Sequence, residues 1–162
     1  MSVKAKLLLS LALLRELHNK VEYYKSVVQR NIYVYKEYKE HSNNYDKAKA
    51  IEKEVISLEN IYKQLNNIDV FLEYVILRLE TLITANNIVL SIAIVRDIVK
   101  ILKGSISRNI PILMTLIDKL DEISRVLIAE TQNVAEFKNV VGSASLEAKK
   151  IIDEAKRVAG VY

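Results

Sequence analysis

The residues that can do chemistry in this chain are few, and their spacing keeps them apart. Histidine occurs twice, at His18 and His41. On one continuous helix these stand about six turns apart, so one chain cannot bring both to a single site. A di-iron centre in a four-helix bundle asks for two Glu-x-x-His motifs, and neither histidine has a glutamate three residues before it. His18 with Glu22, and His41 with Glu37, have the i,i+4 spacing at which one helix face can hold a metal ion. Solvated helix faces carry the same spacing, and both pairs are expected to be solvated. Cysteine is absent, and the glycines at 104, 142 and 160 lie too far apart for a phosphate-binding loop. No serine sits in a Gly-x-Ser-x-Gly elbow. The acid pairs Asp121-Glu122 and Asp153-Glu154 fall at exposed helix positions. The reading is a non-enzyme with no catalytic residue, no cofactor and no resident metal.

The elements that must position these residues are helices. Among 162 residues, Leu, Ile and Val supply 57, against three glycines and one proline. Turn-forming chemistry is too scarce for an all-β fold. The charged fraction is 27%, interleaved with aliphatics, so the composition is not that of a disordered chain. Net charge is +4, and its position says more than its size. Residues 1–41 hold eight Lys/Arg against four Glu, whereas 42–104 and 105–162 each hold eight of either sign. Lys4, Lys6, Arg15, Lys20 and Lys25 are therefore candidate membrane-facing residues on the first helix. Nucleic acid is a poor fit, since the basic residues form no single stripe and no helix-turn-helix or zinc signature occurs.

Lys4 and Lys6 ahead of Leu7–Leu14 have the look of a signal sequence, but Arg15-Glu16 follows with no cleavage site. The apolar stretch 82–102 is broken by Asn86-Asn87 and Arg96-Asp97. The chain is expected to be soluble or to lie on a membrane without crossing it.

Apolar periodicity sets the organisation. Leu7, Leu14, Val21, Val28 and Tyr35 recur every seven residues, with Leu11, Leu17, Tyr24, Ile32 and Tyr38 between them, which predicts one helix over 3–40. Turn formers at 41–45 precede a second helix with Asp46 as cap or first-turn acid. There Leu58, Ile61, Leu65, Ile68, Leu72, Val75, Leu79 and Leu82 step by three and four, so 3–82 reads as an antiparallel hairpin. The segment 83–103 is apolar on two faces, one of them carrying Leu90, Ile94, Ile98 and Ile101 as candidate polymer contacts. A helix over 112–130 follows. Asn86, Asn87, Gly104, Pro111 and Gly142 are candidate hinges. Residues 131–144 read as a linker, and 145–160 as a docking helix capped by Ser145. Six of the nine tyrosines fall between residues 23 and 45. Tyr24, Tyr35 and Tyr38 lie on the apolar stripe and are expected to pack within the hairpin, Tyr23 and Tyr33 less so. The fold class is all-α, a long hairpin followed by shorter helices that fold back or extend, with 1–130 as the core.

Leu77-Arg78-Leu79-Glu80-Thr81-Leu82, the apolar run into Ile101-Leu102-Lys103-Gly104, and Ile110-Pro111 resemble the archaeal ESCRT-III-like proteins of the CdvB family. Asp46-Lys47-Ala48-Lys49-Ala50 and Leu146-Glu147-Ala148 are similar to that family at corresponding places, and the resemblance spans about residues 5–160. It implies a filament-forming, membrane-remodelling protein of archaeal division or vesicle budding. Its partners would be copies of itself, paralogues and an anionic membrane surface. Its place would be the inner face of the cell membrane at the division site. Longer family members carry a basic stretch before the hairpin and a proline-rich or winged-helix tail. This chain starts almost at the first helix and stops at Tyr162, which implies a short, core-only paralogue that reaches the AAA ATPase indirectly.

Overall fold

A computed structural model describes the backbone of residues 1–105, 110–131 and 135–161, with side chains described for these except 105 and 135–143. Among the described residues are five α-helices and one 3₁₀ turn, and no strand. They are α1 (Val3–Glu40), α2 (Tyr45–Thr84), α3 (Ile88–Ser105), the turn Pro111–Leu113, α4 (Met114–Thr131) and α5 (Ala135–Ala159). The fold is all-α. Parts of the expected second bend (106–109) and of the expected linker (132–134) lie outside the described residues.

Local chemistry sets the helix ends. Ser2 Oγ accepts from Ala5 N at 3.1 Å and caps α1. The cap of α2 is Asn44, whose Oδ1 accepts from the amides of Asp46 and Lys47 at 3.0 and 3.3 Å. Asp46 is left as the first-turn acid, where its charge suits the helix dipole. α2 closes in a Schellman arrangement: Asn86 N donates to Ile83 O and Asn87 N to Leu82 O. Asn86 takes φ +57°, a left-handed conformation that asparagine tolerates better than most residues. Asn87 begins the next helix, its Oδ1 accepting from Leu90 N at 3.4 Å. α5 closes the same way around Gly160 at φ +70°.

Ion pairs give the direction of α1 against α2. Arg15–Glu80 (2.9 Å), Lys25–Asp69 (2.8 Å), Lys36–Glu59 (3.1 Å) and Lys39–Glu52 (3.7 Å) descend one helix as they climb the other. The two helices are antiparallel neighbours. Leu7, Leu11, Leu14, Leu17 and Val21 meet Leu65, Phe71, Leu72, Val75 and Leu79 in the core. Between Val28 and Ile61 neither helix contributes to that core. The outer hairpin is thus an arm of two helices on their own, and the inner half is a base covered by α3, α4 and α5.

The base is built around α3. Leu90, Ile92, Ile94, Val95, Ile98, Val99 and Leu102 are all buried, which uses both of its faces. α4 closes one side with Leu116, Ile117 and Leu120; α5 closes another with Ala148, Ile151, Ile152 and Ala155. Tyr74 of α2 also faces α5, its hydroxyl pushed up by burial and then by the Glu154 carboxylate.

Expectations about two of the joints, the linker and Gly104, are corrected. The linker is helical from Ala135 on, so Gly142 lies inside α5 and Ser145 is no helix cap. A helix interior accepts one glycine at about 1 kcal/mol, and the docked face of α5 offsets more than that. Gly104 sits in the last turn of α3, which runs on to Ser105, and a Cβ there would meet nothing within 4 Å. Pro111 opens the 3₁₀ turn, where its missing N–H costs nothing. Among the described residues no helix is long and apolar enough to cross a membrane.

Asp121 of α4 ties the base together electrostatically. Its carboxylate takes Lys103 of α3 and, at 3.1 Å, Arg125 one turn along. The Lys103 hydrogen bond, against the opposing effect of burial, holds the Asp121 carboxyl below its ordinary 3.8. An acid whose native form is the stronger one contributes stability above the unfolded pKa and loses it as pH falls through the native one. Asp121→Asn should therefore lower unfolding stability by about 1–2 kcal/mol near neutral pH. Paired denaturation curves should show that gap closing as the pH falls below the ordinary carboxylate range.

Candidate functional site

The arm presents apolar surface with no intramolecular cover. Tyr33, Tyr38 and Tyr45 are each more than 60% exposed, and Val34 and Ile56 stand beside them on the surface. The expectation that Tyr35 and Tyr38 pack within the hairpin is corrected: both are exposed, because two helices without a third leave their outer flanks open. Tyr24, nearer the base, is half-buried against the core, and Tyr23 meets it edge-on at 5.5 Å between ring centres.

Of the five candidate membrane-facing residues of α1, four have a polar partner within the molecule. Lys4 Nζ donates to Asn86 Oδ1 at 3.1 Å, tying the start of the chain to the α2–α3 turn. Lys6 pairs with Glu130 of α4, Arg15 with Glu80 and Lys25 with Asp69 of α2. Only Lys20, among these five, points to solvent without a partner in the described residues. Inter-helix carboxylates thus meet the charges of Lys6, Arg15 and Lys25, while Lys4 finds a neutral amide oxygen. Lys100 of α3 and Lys149 of α5, without a partner among the described residues, line a groove of about 320 Å³ between those helices, together with Asp153 and the Arg96–Asp97 pair (3.6 Å). Periodicity alone could not find this groove, because it joins residues about fifty positions apart.

The candidate polymer contacts are sealed. Leu90, Ile94 and Ile98 are buried and Ile101 is half-buried, under α4 and α5. A contact between copies through this face requires α5 to leave it first. Of the candidate hinges, Asn86 and Asn87 form a true joint between two helices. Gly104 and Gly142 are helical.

A polar cluster bridges α1 and α2 where the core gives way to the arm. His18 is not a solvated residue: its side chain is 18% exposed and its Nε2 faces the buried Asp69. Glu22 lies 3.5 Å from Nε2 on one side and Glu73 3.5 Å on the other. Asp69 Oδ2 accepts from Lys25, whose Nζ also reaches Asn66 Oδ1 at 2.9 Å and sits over the Tyr62 ring. Burial works against the Lys25 charge, but the Asp69 carboxylate more than offsets it and raises its pKa. The sequence signal for this cluster was Asp69 itself, a carboxylate set beside Leu65, Ile68 and Leu72 on the packing stripe. His41 and Glu37, the other spaced pair, are exposed at the arm tip.

Charge already matched inside the molecule is a poor ligand for an anionic surface, whereas a free lysine near lipid contributes about 1 kcal/mol. Changing Lys100 and Lys149 together to Gln should weaken binding to phosphatidylserine vesicles roughly tenfold or more in co-sedimentation. Changing Lys6 and Arg15 to Gln should cost less than about threefold in binding and show instead as lost thermal stability. Comparison with protein-family models, with curated proteins and with solved structures finds no match to this chain.

Proposed function

We propose that this chain is a non-enzymatic, filament-forming protein that remodels membranes. In this reading it acts like the archaeal ESCRT-III-like proteins of the CdvB family that it resembles, in cell division or vesicle budding. It assembles with copies of itself and with paralogues on the cytoplasmic face of the membrane. The observation that carries the reading is the division of apolar surface. The arm leaves tyrosines and aliphatics uncovered, while α3 needs partners on both faces and has one of them supplied by a terminal helix. Such a molecule has one surface ready for contact and another that is exposed only by opening.

Opening has a specific backbone step. Asn86 leaves its left-handed conformation, the Schellman turn is lost, and α2 runs straight into α3. Release of α5 then uncovers the face that holds Ile94 and Ile98. Those two residues are too deep in the core for a charge substitution to report on assembly alone, so the equilibrium itself is the better handle. Asn86→Ala disfavours the left-handed joint by about 1–2 kcal/mol. Ala155→Glu puts a charge at a fully buried position of α5. Both variants should form filaments of uniform width with anionic vesicles at lower protein concentration than wild type, as seen by electron microscopy. Monomers throughout, for wild type and both variants, would sink the filament reading.

The sealed state of α3 favours one other role, that of a monomeric or dimeric adaptor that caps filaments built by paralogues. Light scattering against concentration separates the two, since an adaptor keeps a constant mass while a filament subunit does not.

A further inference from the structure

We infer that the hairpin carries a divalent metal site, formed by His18 and Glu22 of α1 with Asp69 and Glu73 of α2, suited to a zinc ion. The inference is independent of the filament reading. One potential ligand atom from each of the four side chains lies within 4.8 Å of every other. A tetrahedral zinc site, with bonds of about 2.0–2.2 Å to nitrogen and oxygen, holds its ligand atoms roughly 3.4 Å apart, so small side-chain rotations complete the shell. Each helix supplies an i,i+4 pair, which places two ligands on one face and aims them at the facing helix.

Two buried atoms at the centre, His18 Nε2 and Asp69 Oδ1, stand in ion-pair contact with each other without forming a hydrogen bond. Asp69 is 94% buried, and its Oδ1 has no hydrogen-bond donor although its Oδ2 takes Lys25. His18 Nε2 is likewise buried without a hydrogen-bond partner, and it is the atom that Asp69 Oδ1 faces. A ring N–H serves one acceptor, but three carboxylates converge on this nitrogen. A divalent cation serves all four groups at once. The charges also balance: three carboxylates and the Lys25 ammonium sum to two negative charges, which one divalent ion neutralises. Lys25 then has the role of an outer-shell group, holding Asp69 by one oxygen so that the other stays aimed inward.

The location gives the site a physical purpose. It ties α1 to α2 in the last layers of the core, beyond which the arm has no third helix to steady it. A metal here would staple the hairpin at the root of the arm.

The chelator-stripped chain should bind Zn²⁺ alone with one saturable site per molecule in isothermal titration calorimetry. At a hundredfold excess over the dissociation constant its melting temperature should rise by about 5–10 °C. Co²⁺ in place of zinc should give the visible absorption bands of a four-coordinate ion. His18→Gln and Glu73→Gln should each weaken zinc binding at least tenfold. Glu73 is half-exposed, so its variant keeps the fold, checked by circular dichroism, and isolates the ligand effect. His41→Gln should bind as wild type does. Absence of a saturable site in the wild-type chain would overturn the proposal, and so would a wild-type affinity for zinc in both His18→Gln and Glu73→Gln.

Discussion

The structure depends on the burial of α3 from both sides. Its seven buried aliphatics each contribute on the order of 1.5–3 kcal/mol when removed from water, and a single neighbouring helix shields one face. The hairpin takes part of this surface. The rest obliges α4 and α5 to fold back, which they do by turning at Asn86-Asn87 and at Pro111.

Among the described residues, the helices that surround α3 do not reach the outer hairpin. α3 to α5 cover the hairpin only as far as Val28 and Ile61, so the outer part of α1 and α2 is held by its own seam and by Lys36–Glu59 and Lys39–Glu52. Exposed pairs of that kind contribute little each. Stability is therefore graded along the hairpin, high at the base and low at the tip. The cluster around His18 and Asp69 stands on the gradient, where a cross-link between the two long helices has the most effect.

The basic character of α1 acquires a different meaning in three dimensions. A run of positive charge on one helix invites an external anion, but four of its five leading cations find acceptors within the molecule: Asn86, Glu130, Glu80 and Asp69. They act as clamps from α1 to every element that lies over it. Surface potential then rests on lysines whose partners are absent, such as Lys100 and Lys149 beside the α3–α5 groove.

Much of the architecture was legible in the order of residues. The heptads of α1 and α2, the polar break at 41–45, the paired asparagines and the two-faced segment after them are properties of local spacing, and local spacing decides helix ends and faces. The linker expected over 131–144 failed for a tertiary reason: docking of the α5 face outweighs the local preference of Gly142 to end a helix. The expected packing of Tyr35 and Tyr38 failed likewise, since a stripe buries only as far as something covers it. The site around His18 needed the fold most. His18-Glu22 and Asp69-Glu73 are about fifty residues apart, and each alone is an ordinary solvated pair. Antiparallel packing at one register brings them face to face, and burial turns their spacing into chemistry.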